Sequence, residues 1–206
     1  MKRLAAFMLL LAEIGGAYAG NGDAERLRAW HAGEKVAEVA VAEYGIDRCF
    51  ASSEIDDALF ARMYGKSYKA DCTVPRSELR YLRVLHRNLA GETLLGELVC
   101  NEAICGDLLD IFRVLYDASY PIERMVLIDE YDAQDGPSMR ANNSSAFNFR
   151  FVAGTGVLSS HSRGMAVDIN PLYNFPLQVV QSPWINALAG SGAKPYVITR
   201  GMMSRE

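Results

Sequence analysis

The chain has no run of lysine and arginine. Its 21 basic residues are scattered among 25 acidic ones, for a formal net charge of −4. That excludes the electrostatic footprint expected of a nucleic-acid or anionic-membrane surface. Histidine is scarce, with only three residues, His31, His86 and His161, so any imidazole-based site must draw on these. Beyond the N-terminus no apolar run approaches the roughly 20 residues a spanning helix needs. Internal repeats and low-complexity tracts are absent. What is present is 206 residues, 50% hydrophobic and 22% charged. This is the composition of a globular chain able to bury a core, not of a disordered one.

The N-terminus reads as a processing signal. Lys2 and Arg3 precede the short apolar stretch Leu4 to Ala12, and Ala17-Tyr18-Ala19 supplies a small-x-small cleavage pattern. A signal peptide over 1–19 is expected. The protein would then be secreted to the cell envelope (periplasm or extracellular space), with no membrane span after cleavage. The four cysteines, Cys49, Cys72, Cys100 and Cys105, suit an oxidising compartment. Four cysteines allow three pairings. Spacing and export favour Cys49–Cys72 and Cys100–Cys105 over a zinc site made of the four.

Periodicity predicts a helix over residues 24–44 and a second over Ile55 to Tyr64, followed by a turn at Gly65-Lys66-Ser67. Leu79 to Leu85 and Thr93 to Val99 carry strand-like signals. A long helix runs from Glu102 to Ser119, with Ile104, Leu108, Ile111 and Leu115 on one face and Pro121 beyond its end. Met125 to Ile128, the alternating Phe147, Phe149 and Phe151, and Met165 to Ile169 read as further strands, while the polar stretch Asp132 to Ser145 reads as a loop. Helices and strands mix without βαβ alternation. The expected class is α+β, a small antiparallel sheet flanked by helices.

The chemistry concentrates in Ser159-Ser160-His161-Ser162-Arg163-Gly164-Met165-Ala166-Val167-Asp168, spaced S-x-H-x-x-G-x-A-x-D. A loop histidine, a glycine that permits a tight reversal and a strand that returns the aspartate can bring an imidazole and a carboxylate to one cation.

This string resembles the zinc D-alanyl-D-alanine carboxypeptidase family, the VanY-type peptidases with their dipeptidase and L-alanyl-D-glutamate endopeptidase relatives. The flanking text is similar too: Cys100 to Tyr116, Pro121 to Tyr131, Ser138 to Arg150 and Asp168 to Asn174. The likeness covers roughly residues 50 to 200. It implies a DD-peptidase/hedgehog-like fold, Zn²⁺ as cofactor, and hydrolysis of bacterial cell-wall peptides, with peptidoglycan stem peptides as partners and a monomeric state. His161 and Asp168 would be zinc ligands and Ser159 would hydrogen-bond the substrate. Asp129-Glu130-Tyr131 stands where relatives carry an arginine on the scissile carbonyl, so Arg150 is the expected catalytic substitute and Arg140 the second choice.

The family completes its site with a downstream acid, the general base, and a final histidine. No histidine follows residue 161, and Glu206 lies past Met202 and Met203 without the expected surroundings. The expectation is a chain truncated before its last strand. His31 and His86 stand in text without a motif and read as surface or packed histidines. The expected organisation is a signal peptide (1–19), an N-terminal helical segment (20–50) and a zinc peptidase domain (51–206). A non-catalytic peptidoglycan-binding relative or an inactive fragment is the alternative within the family, and a disulfide-stapled domain without metal the alternative outside it.

Overall fold

The structure, a computed structural model, describes residues 22–152 and 154–173. The expected signal peptide and everything after Tyr173 lie outside the described residues.

Three antiparallel strands form one sheet in the order β1 (Ala51–Glu54), β2 (Leu79–Arg87), β3 (Thr93–Asn101). The hairpin β2–β3 runs in register from Leu79 opposite Asn101 to Arg87 opposite Thr93. Asn88 shapes its turn by accepting the N–H groups of Ala90 and Glu92, both at 2.9 Å. Strand alternation sorts the hairpin's side chains onto two faces. On one face Leu82, Val84, Leu98 and Cys100 pack with Ile104, Leu108, Ile111 and Phe112 of the long helix, Glu102–Asp117. On the other, Leu79 and Val99 pack with Leu59 and Met63 of the helix Asp57–Met63, and with Phe147 and Phe149. Both helices begin where the sequence supplies a cap: Asn101 Oδ1 accepts the N–H of Ala103 and Asp56 Oδ1 that of Leu59. The α+β class is therefore as expected.

The single helix expected over 24–44 is two. Residues 22–29 form α1 and Glu38–Tyr44 form α2; the helices already described are α3 (Asp57–Met63) and α4 (Glu102–Asp117). Trp30 takes a left-handed φ of 55°, which ends α1, and Gly33 follows at 90°. The chain then runs beside β3, with Gly33 N–H on Leu95 O at 2.7 Å and Val36 N–H on Thr93 O at 3.0 Å. Both helices contribute to a cluster with Leu85 and Leu95 of the sheet.

The strands expected at 125–128, 147–151 and 165–169 are not regular strands. Instead several segments share the free edge of β3. Besides residues 33–36, Glu97 N–H reaches Met125 O at 3.0 Å, Phe147 N–H reaches Val99 O at 3.0 Å, and Asn101 N–H reaches Gly164 O at 3.0 Å. Each segment satisfies part of the edge and then turns away, so the edge is covered without a fourth continuous strand. Phe147 and Phe149 are buried as the alternation requires, but Phe151 is 51% exposed.

The polar stretch 132–145 is not simply a loop. It holds the short helix α5, Asp135–Arg140, with Pro137 in its first turn, where a missing N–H costs nothing. After it, Asn142, Asn143 and Ser144 are all buried. Asn143 Oδ1 accepts Val126 N–H and its Nδ2 donates to Val126 O, each at 2.9 Å. A side chain thereby replaces a neighbouring strand.

Candidate metal centre

Ser159 opens a 3-10 turn at Ser160–Arg163 by accepting the N–H of His161 at 3.3 Å. Gly164 closes the turn with a left-handed φ of 66°. A Cβ there would lie 2.6 Å from Asn101 N, so this position requires glycine for both conformation and space. The chain then extends, and Asp168 pairs with Ser145 through two backbone hydrogen bonds of 2.9 and 3.1 Å. Asn170 fixes the exit: its Oδ1 accepts Glu123 N–H at 3.0 Å and its Nδ2 donates to Pro121 O at 2.8 Å.

This scaffold brings His161 and Asp168 together, with Nε2 and Oδ2 3.2 Å apart. The other ring nitrogen, Nδ1, lies 2.6 Å from Ala146 O. A carbonyl can only accept, so Nδ1 carries the proton and the neutral ring presents a bare lone pair at Nε2. That lone pair faces a carboxylate oxygen, which is also an acceptor. Two acceptors at this distance are compatible only if the ring is protonated or a cation lies between them. Burial opposes the imidazolium, but the Asp168 carboxylate and the Ala146 carbonyl outweigh it and raise the His161 pKa.

The pair fits a divalent metal on its own geometry. Ligand distances of about 2.0–2.2 Å put two zinc donors roughly 3–4 Å apart, and a ligating imidazole ordinarily donates its second nitrogen to a carbonyl or carboxylate. Among the described residues no group of three or more His, Cys, Asp or Glu side chains is disposed around one point. His86 is buried on β2 against Ile122 O, and His31 is exposed after α1; neither joins the pair.

Of the two candidate arginines, Arg150 is the one held beside the motif. Its backbone carbonyl accepts Ser159 N–H at 3.0 Å and its N–H donates to Ser162 Oγ at 2.9 Å. Its charge is close enough to oppose protonation of His161. The guanidinium makes an ion pair through Nε, 2.7 Å from Asp135 Oδ2, lying off the N–H axis. Arg140 is exposed at the end of α5. Ser159 is buried and its Oγ is engaged as the turn's cap. Sequence reasoning missed Asp135, Asn148, Ser162 and Asn170. The first two stand in text with no diagnostic spacing, and the last two lie in or beside the motif at positions it leaves open.

All four cysteines are free thiols. The expected Cys49–Cys72 bridge is not formed. Cys49 belongs to the cluster of α1 and α2, whereas Cys72 packs against the cluster of α3, and their thiols point to Gly45 O and Val74 O. Cys100 and Cys105 share one cluster and are hydrogen-bonded to each other, unbridged. No described helix is long and apolar enough to cross a membrane. Comparison with protein-family models, with curated proteins and with solved structures finds no match to this chain.

Proposed function

We propose that this chain is a zinc peptidase of the DD-peptidase/hedgehog-like type, exported to the cell envelope and acting on peptidoglycan stem peptides. The observation that carries the reading is the His161–Asp168 pair: two acceptors 3.2 Å apart, with the ring's other nitrogen committed to Ala146 O. In this reading His161 Nε2 and an Asp168 carboxylate oxygen hold Zn²⁺. When bound, the ion would supply a Lewis acid for the scissile carbonyl and a means of making water acidic near neutral pH.

The chain's own residues do the rest. Arg150, beside His161, offers its guanidinium to an oxygen of the peptide, the charge-assisted contact that steadies developing negative charge. The Ser159 hydroxyl accepts from His161 N–H and retains a proton to donate to a substrate carbonyl. Ala146 O holds the imidazole in one tautomer and Asn170 holds the segment that carries Asp168. Beyond Arg150 the exposed Phe151, Val152 and Val157 offer apolar surface along which a peptide could lie.

The test is zinc stoichiometry and peptide turnover in one set of samples. The full chain should bind zinc, with loss in a chelator and in His161→Ala, and bind a synthetic peptide ending in D-Ala-D-Ala. Chelator-sensitive cleavage of that peptide would support the peptidase reading and show that a general base and a further ligand come from outside the described residues. Zinc binding and peptide binding without cleavage would assign the non-catalytic wall-binding role. No zinc binding, or binding unchanged in both His161→Ala and Asp168→Ala, would overturn the reading.

A further inference from the structure

Asp135 opens α5, away from the motif in sequence, yet its carboxylate contacts two residues of the segment that runs beside His161. Oδ2 lies 2.7 Å from Arg150 Nε, and Oδ1 accepts from Asn148 Nδ2 at 3.3 Å. Asn148 is anchored twice more. Its amide donates to Ala133 O at 3.1 Å and its backbone N–H donates to His161 O at 3.1 Å. One carboxylate thus grips two alternate side chains on the strip of chain that also touches the metal-site histidine.

Two features argue that this contact serves orientation more than stability. The side chains of Arg150 and Asp135 are 28% and 39% exposed, and an ion pair so open to water contributes little to folding. An arginine side chain has many rotamers, and a carboxylate 2.7 Å from Nε restricts where the guanidinium can lie. The contact is one of charge, since Nε donates no hydrogen bond, and among the described residues Nη1 and Nη2 donate none either.

Resting on the peptidase reading above, we infer that Asp135 is the positioning residue for Arg150: its charge holds the guanidinium beside the motif and leaves Nη1 and Nη2 for an oxygen of the peptide bound at His161 and Asp168. The ligand class is an extended peptide that presents a carbonyl or carboxylate oxygen to these two nitrogens. Asp135 touches neither the peptide nor the metal.

The experiment is a double-mutant cycle in the full, zinc-supplemented chain. The probe is a synthetic pentapeptide ending in D-Ala-D-Ala, read as Kd, or as KM where it is turned over. Asp135→Asn, which keeps the shape and removes the charge, should weaken the peptide about tenfold with the unfolding midpoint unchanged, and Asp135→Glu should restore part of that. In an Arg150→Lys background, Asp135→Asn should cost nothing further. An equal loss in both backgrounds, no loss at all, or a loss matched by a lower midpoint would overturn the inference while leaving the peptidase reading in place. A wild-type chain that binds no peptide would overturn both.

Discussion

Gly164 O accepts the N–H of Asn101 at 3.0 Å, which ties the loop carrying His161 to the residue that ends β3 and caps α4. The junction is tight. A Cβ on Gly164 would stand 2.6 Å from Asn101 N and 3.1 Å from Cys100 C, both backbone atoms that cannot swing aside.

Gly164→Ala should therefore destabilise the fold by at least roughly 2 kcal/mol, combining the left-handed conformation with the backbone clash. Denaturant titration checks the figure. The same variant should lose zinc at a concentration of denaturant where the wild type still retains it, because the loop rather than the core gives way first.

His161→Ala and Asp168→Ala should each weaken zinc binding by more than about 100-fold, beyond the range typical of losing an outer partner of a ligand. Competition with a chromogenic chelator measures this. Asn170→Ala, which releases Glu123 N–H and Pro121 O, should weaken zinc about tenfold through the placement of Asp168. If Asn170→Ala equals Asp168→Ala, the two aspartate-side effects are not separable and Asp168 is not a ligand.

The pair itself was legible because the residues that build it are contiguous: a loop, a glycine and a returning segment within one string. The β2–β3 hairpin and α4 were legible for the same reason, since their patterns are local. What could not be read depends on partners far along the chain. Asn170 works on Pro121, Asn143 on Val126 and Asn148 on Ala133, and nothing in an asparagine announces which backbone it will satisfy. The three expected strands failed because β3's edge is divided among several segments, each too briefly engaged to form a ladder. Helix α5 hid behind Asp135, Gly136 and Pro137, residues that ordinarily mark loops.

Asn143→Ala should cost roughly 2–3 kcal/mol by leaving Val126 N–H and C=O without partners inside the protein. Asn143→Asp should keep the bond from Val126 N–H and lose the one to Val126 O, and so fall between. Equilibrium unfolding of the three proteins gives the order. Equal stability of wild type and alanine variant would mean that water takes over both groups.

The cysteines carry a separate expectation. Cys100 shares its proton with Cys105, which lowers the Cys105 pKa and raises that of Cys100. The two thiols are buried and hydrogen-bonded to each other, so a disulfide oxidant such as oxidised glutathione that reaches them when the cluster opens should join this pair. The oxidant is reduced to two thiols as Cys100 and Cys105 form one S–S bond. Non-reducing peptide mapping after such treatment should find Cys100–Cys105 joined and Cys49 and Cys72 not joined to each other. A Cys49–Cys72 peptide would show that the separate clusters of this fold rearrange.

His86 makes the fold sensitive to acid. It is 1% exposed on β2, its Nδ1 lies 2.7 Å from Ile122 O, and its Nε2 has no partner. Burial pushes its pKa down from 6.5 to about 4. A Cβ on Gly96 would stand 3.0 Å from the ring, and Met125, Glu123 and Arg124 line the same cavity of about 360 Å³ as His86. The unfolded chain takes up a proton on this ring below about pH 6.5, whereas the folded chain refuses it until about pH 4. Stability is therefore full above pH 6.5, falls as the pH drops through that window, and levels off below it, for a loss of roughly 3 kcal/mol. His86→Gln cannot titrate, so its stability should change less between pH 7 and pH 4.5. Asp129, whose carboxyl is raised by burial, acts in the opposite direction in both proteins and cancels in the difference. Urea titrations at the two pH values read that difference directly, and equal slopes for wild type and His86→Gln would show that the folded ring takes up its proton as readily as the unfolded one.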